Sequence, residues 1–142
     1  MHYCPGVWPN PDADRLDAIL DRAKKEKSAF VIQLGDFVHE VKSARTRQLV
    51  KMYNDFKMPG FHCLGNHDSD HTPYDETLRR YNMPDGHYFF DNGGYRFIVC
   101  DPNYYYVDGE YIHYDMGNYY KFGAYRDYMP PEQLDLLREP ID

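Results

Sequence analysis

Two short stretches carry residue types that could do chemistry: Gly35-Asp36-Phe37-Val38-His39-Glu40 and Gly65-Asn66-His67-Asp68. Each follows a short apolar run and opens with a glycine, which lets the backbone turn sharply and approach a ligand closely. A carboxylate, an amide oxygen and an imidazole are hard to borderline ligands, suited to Mn, Fe, Zn or Mg rather than to a soft copper site. A carboxylate can also bridge two cations, and a two-metal clamp suits in-line displacement at phosphorus.

The elements around these stretches would bring them together. Leu16, Ile19, Leu20 and Ala23 recur at helical spacing after Asp12 and Asp14, either of which can cap a helix. The run from Ala29 to Leu34 reads as a buried strand, 42–57 as an amphipathic helix, and Phe61 to Leu64 as a second strand. Strand, helix, strand is the pattern of a parallel sheet with a crossover helix. Ligands of such sheets gather beyond the carboxyl ends of the strands, where Asp36, Asn66 and His67 converge.

Further on, 74–82 predicts a short helix. Two strand-like runs, His87 to Asp91 and Tyr95 to Cys100, flank Asn92-Gly93-Gly94, a strong hairpin signal. Residues 102–129 show no clear period and read as a long, acidic, tyrosine-rich loop. A helix begins at Glu132 after Pro130-Pro131.

In order and combination, these motifs resemble the calcineurin-like metallophosphoesterase superfamily. Its motifs run Asp-x-His, Gly-Asp, Gly-Asn-His-Asp/Glu, a lone His, then Gly-His-x-His. The resemblance implies an α/β fold, a β-sandwich flanked by helices, and hydrolysis of phosphate esters by a water that two divalent metal ions (Mn, Fe, Zn or Mg) activate. It implies that Asp36 bridges the metals, that Asn66 binds the second metal, and that His67 contacts the phosphate and protonates the leaving oxygen. Asp68 would orient His67 through its other ring nitrogen, and His2 sits where the histidine of the first motif belongs. The aspartate of that motif, the lone His and Gly-His-x-His have no counterpart in the chain. Residues 1–142 therefore read as one partial domain, the N-terminal half of the sandwich, with a mixed sheet made of the βαβ unit plus a hairpin.

Three functional expectations follow. The first is a phosphodiesterase or phosphatase acting on a small phosphorylated substrate, nucleotide-like in one version. The second is a catalytically silent fragment whose metal site is incomplete. The third is a nucleotide- or carbohydrate-binding remnant that uses the tyrosines of the 102–129 region for stacking. A half-sandwich would leave apolar sheet surface open and favour self-association.

Other histidines carry less. His39 replaces an acid common in the family's Gly-Asp-x-x-Asp, His62 lies inside a strand, and His71 reads as a surface residue. His87 and His113 have no spacing argument. The bland reading of the tyrosines is that they pack their loop against the sheet.

Charge and composition exclude other classes. The net charge is −7, with 23 acids against 16 bases, which argues against a protein that coats nucleic acid. Residues 101–142 alone hold 9 acids, 3 bases and 9 of the 15 tyrosines, so the acidity is concentrated there. No apolar run approaches a membrane span. Three cysteines without a CxxC spacing indicate neither a disulfide framework nor a zinc ribbon, and with no visible leader the expected compartment is the cytoplasm.

Overall fold

The computed structural model describes residues 12–38, 43–121, 123 and 125–138. The chain runs α1 (Asp12–Lys25), β1 (Val31–Leu34), α2 (Ala44–Asn54), β2 (Gly60–Cys63), a 3₁₀ turn at Asn66–Ser69, α3 (Tyr74–Tyr81), β3 (Tyr88–Asn92), β4 (Tyr95–Val99), β5 (Tyr104–Val107) and β6 (Glu110–His113). Short 3₁₀ segments follow at Asn118–Tyr120 and Pro131–Leu137. The fold is α/β. Its strands form three two-stranded sheets: β1 with β2 in parallel, and the hairpins β3–β4 and β5–β6.

The parallel pair and its crossover helix follow the sequence pattern. Ser43 caps α2, its hydroxyl accepting from the N–H of Thr46. Register pairs Val31 with Gly60 and Leu34 with Cys63, so both strands end at the same level. Leu16 and Leu20 of α1 and Leu49, Val50 and Tyr53 of α2 bury against Phe37, Val38 and Leu64. Tyr53 fixes the pair by donating to the carbonyls of Val31 and Phe61.

The β3–β4 hairpin turns on Gly93 and Gly94, both at positive φ (+61° and +81°), as a two-residue primed turn requires. It packs beside β2 through side chains. The rings of Phe61 and Phe90 stack, and the Tyr88 hydroxyl donates to the carbonyl of His62. Apolar groups at the surface include Leu34 on β1, 80% exposed, and Phe97 on β4.

Residues 102–129 contain structure that the sequence reading lacks. β5 and β6 pair around Asp108-Gly109, at φ +53° and +88°. The backbone of Tyr128 returns to donate to the carbonyl of Tyr104. Tyr105 and Tyr114 are buried, whereas Tyr106, Tyr111, Tyr120, Tyr125 and Tyr128 are exposed.

His62 of β2 is 2% exposed and lies between two amides. The Gln33 amide donates to its Nδ1 at 3.0 Å, so the ring proton sits on Nε2 and is given to Asn54 Oδ1 at 3.1 Å. Burial pushes its pKa down to about 3. The folded state therefore keeps His62 neutral at pH values where the unfolded chain protonates it. Its contribution to stability is complete above about pH 6.5 and is lost toward pH 3, at about 1.4 kcal/mol per pH unit. Buried Asp68 is shifted upward and acts in the opposite sense between about pH 4 and 6. Comparison with His62→Gln isolates the histidine. In urea denaturation, the wild type should lose about 2 kcal/mol more than His62→Gln between pH 7 and pH 5. Equal losses would refute a neutral, buried His62.

Candidate metal centre

The carboxyl ends of β1 and β2 lie side by side, and two glycines allow the loops leaving them to touch. Gly35 adopts φ +94°, and a Cβ there would lie 2.8 Å from the backbone nitrogen of Gly65. Asp36 follows at φ +48°, a left-handed conformation that aspartate tolerates better than most residues. A Cβ on Gly65 would lie 2.2 Å from Asp36 Oδ1 and 2.4 Å from its backbone nitrogen. Only hydrogens fit between the two loops.

This closeness places the Asp36 carboxylate on the Asn66–His67 turn. The N–H of His67 donates to Asp36 Oδ1 at 3.1 Å. A carboxylate has about four acceptor positions. Among the described residues this is the one hydrogen bond that the Asp36 side chain accepts, so it keeps capacity for a cation. Asp36, Asn66 and His67 are all half-buried.

Asp68 faces the other way. It is fully buried, and both its oxygens are committed: Oδ2 accepts from the N–H groups of Asp36 (2.9 Å) and Gly65 (2.8 Å), and Oδ1 from the Tyr81 hydroxyl (2.7 Å) and the Val38 N–H (3.3 Å). The bond to Gly65 is the acid half of a capping box for the 3₁₀ turn. Burial pushes the Asp68 carboxyl up to about 6, and its hydrogen bonds oppose that shift. α3 fastens the turn from below, with Thr77 Oγ1 donating to the carbonyl of Asp68.

The sequence reading has Asp68 orient His67. In the structure the Nδ1 of His67 meets Asp70 Oδ2 instead, at 2.5 Å. The turn geometry explains the difference. At three residues per 3₁₀ turn, positions 67 and 70 lie on one face and position 68 on another.

A second buried polar group supports the site from the side. Asn103 Nδ2 donates to the carbonyl of Leu64, one residue before Gly65, and to Asp101 Oδ1. Asp101 is fully buried and also receives His113 Nε2 at 2.8 Å, while Gln133 bonds the Asp101 backbone in both directions. The N–H of Tyr74 donates to Asp115. The tyrosine-rich segment is thus tied to the strand end that carries the site. The sequence offers no spacing signal for this arrangement, because Asp101 and His113 meet only through the hairpin.

His2, His39 and Glu40 lie outside the described residues. His71 is exposed. Among the described residues, no group of three or more His, Cys, Asp or Glu side chains is placed to hold a metal. Asp36 and Asn66 supply a carboxylate and an amide oxygen, a donor pair that fits a hard or borderline divalent cation as part of a larger ligand set. No helix among the described residues is long and apolar enough to cross a membrane.

A sequence model of the family described as calcineurin-like phosphoesterase matches residues 1–141. The chain matches no curated protein and no solved structure.

Proposed function

The chain belongs to the calcineurin-like phosphoesterase family, and from that premise we propose that it hydrolyses phosphate esters of small molecules, with Asp36 and Asn66 as metal ligands and His67 at the phosphate. The observation that carries this reading is the contact between the two strand-end loops, in which the His67 N–H sits on the Asp36 carboxylate with both glycines back to back. It brings the loops that carry a carboxylate, an amide and an imidazole to one edge of the parallel pair.

Divalent ions, when bound, supply water activation and Lewis acidity to such chemistry. The contribution of the chain is position. Asp36 and Asn66 are held by backbone turns rather than by flexible stems, and Asp68 locks both turns to one another. In the reaction a water gives up one proton to solvent and its oxygen forms a bond to phosphorus as the ester P–O bond breaks. His67 gives the proton on Nε2 to the departing oxygen and is left with its proton on Nδ1.

Hydrolysis of bis-p-nitrophenyl phosphate with added Mn tests the reading. The expected result is Mn-dependent release of p-nitrophenol that EDTA stops. Asp36→Ala and His67→Ala should each lower kcat by about a hundredfold or more, with the circular dichroism unchanged. Absence of metal-dependent turnover, or unimpaired variants, would overturn it.

A further inference from the structure

Resting on that reading, we propose that Asp70 is the positioning residue for His67, fixing which ring nitrogen carries the proton and which faces substrate. The 3₁₀ turn at Asn66–Ser69 sets residues 67 and 70 one above the other. The contact between them is made twice. The Asp70 N–H donates to the carbonyl of His67, and Asp70 Oδ2 stands 2.5 Å from His67 Nδ1. The side chains are only 28% and 15% exposed, so neither is a freely swinging surface group.

A carboxylate accepts and does not donate, so Nδ1 must carry a hydrogen for this contact to exist. That leaves Nε2 as the nitrogen that exchanges protons with the leaving oxygen. The form of His67 left after it gives up the Nε2 proton is the form that Asp70 already holds, so Nε2 has only to regain a proton from solvent, with no ring flip, before the next turnover. Asp68, the neighbour in sequence, cannot take this role, since its two oxygens serve three backbone N–H groups and the Tyr81 hydroxyl. A Cβ on Gly117 would lie 3.3 Å from the carbonyl oxygen of Asp70, so the tyrosine-rich segment passes close to the Asp70 backbone.

Two readouts test this separately from the hydrolase reading. Nitrogen-15 NMR of the whole chain, at a pH where the imidazole is neutral, reports the tautomer of His67, its signals assigned by their loss in His67→Ala. The expected wild-type pattern has Nδ1 protonated and Nε2 bare. Asp70→Ala should shift it toward the Nε2–H form, and Asp70→Asn, whose amide oxygen still accepts, should retain the wild-type form. In turnover of bis-p-nitrophenyl phosphate, Asp70→Ala should lower kcat about ten- to a hundredfold at nearly constant KM. It should cost nothing more when added to His67→Ala. A bare Nδ1 in the wild type, a tautomer indifferent to Asp70→Ala, or an equal rate loss in the His67→Ala background would overturn the assignment. If the wild type hydrolyses no phosphoester, the hydrolase reading falls while the nitrogen shifts still decide whether Asp70 sets the tautomer.

Discussion

Asp68→Ala is expected to destabilise the fold by about 3–4 kcal/mol, a large share of the 5–15 kcal/mol that holds a typical domain together. The carboxylate accepts four hydrogen bonds from groups belonging to four different positions: Asp36 and Val38 after β1, Gly65 after β2, and Tyr81 at the end of α3. Hydrogen bonds to a charged group contribute about 1.5–3 kcal/mol each, and a buried donor left without a partner costs about 1–3 kcal/mol. These do not simply add. Gly65 and Asp36 are half-buried and can turn to water, whereas Val38 and Tyr81 are 0% and 1% exposed and cannot. The cost of keeping a carboxylate in this interior, visible in its upward-shifted pKa, is recovered when the group is removed. Tyr81→Phe removes one donor and should cost about 1–1.5 kcal/mol. Asp68→Asn falls between the two, because the amide oxygen can still accept from the N–H groups of Asp36 and Gly65 and its NH₂ can turn to the tyrosine oxygen, while the Val38 N–H loses its acceptor. Chemical denaturation of the three variants checks the order. An Asp68→Ala chain as stable as the wild type would show that the strand-end loops hold together without this carboxylate.

The role of Asp68 also shows where sequence reasoning reaches its limit. Gly35-Asp36 and Gly65-Asn66-His67 are legible as strand-end loops because each apolar run stops at a glycine, and the parallel pairing then brings them together without further information. The Gly93-Gly94 hairpin is legible for the same local reason, since few residues other than glycine enter a primed turn readily. Asp68 and Asp70 are different. Both are acids close to His67, and their roles depend on the phase of a four-residue 3₁₀ turn, which no periodicity in so short a segment reveals.

The β5–β6 hairpin lies between these cases. Asp108-Gly109 is itself a strong turn signal, but the Tyr104-Tyr105-Tyr106 run hides the strand. Tyr105 is buried and Tyr106 is exposed, so one residue type serves both faces and the usual alternation disappears. Asp101, Asn103 and His113 were legible only as isolated polar residues. Their contacts depend on that hairpin and on Gln133, more than thirty positions from Asp101.

Gly65→Ala should reduce phosphoester hydrolysis by about a hundredfold or more and destabilise the chain by about 1–3 kcal/mol. The backbone is not the obstacle. Gly65 has φ −102° and ψ 170°, ordinary extended values that alanine adopts freely. The obstacle is its methyl group, which would lie 2.2 Å from Asp36 Oδ1 and 2.4 Å from the Asp36 nitrogen. The latter is a backbone atom held by Asp68, so the clash cannot be relieved by turning a side chain alone. The loops must separate, which pulls the Asp36 carboxylate from the His67 N–H and stretches the contacts that Asp68 makes to Asp36 and Gly65. A shift of about 1 Å in catalytic groups is enough for a hundredfold loss. Gly94→Ala supplies the converse control. Gly94 has φ +81°, where alanine is strained, but nothing lies within 4 Å of the added methyl. It should therefore lose about 1 kcal/mol of stability with activity unchanged. Alanine at 65 is thus predicted to damage the site through contact alone, and alanine at 94 the fold through conformation alone. Equal activity in the two variants would mean that the close approach of Gly65 to Asp36 does not set the geometry of the centre.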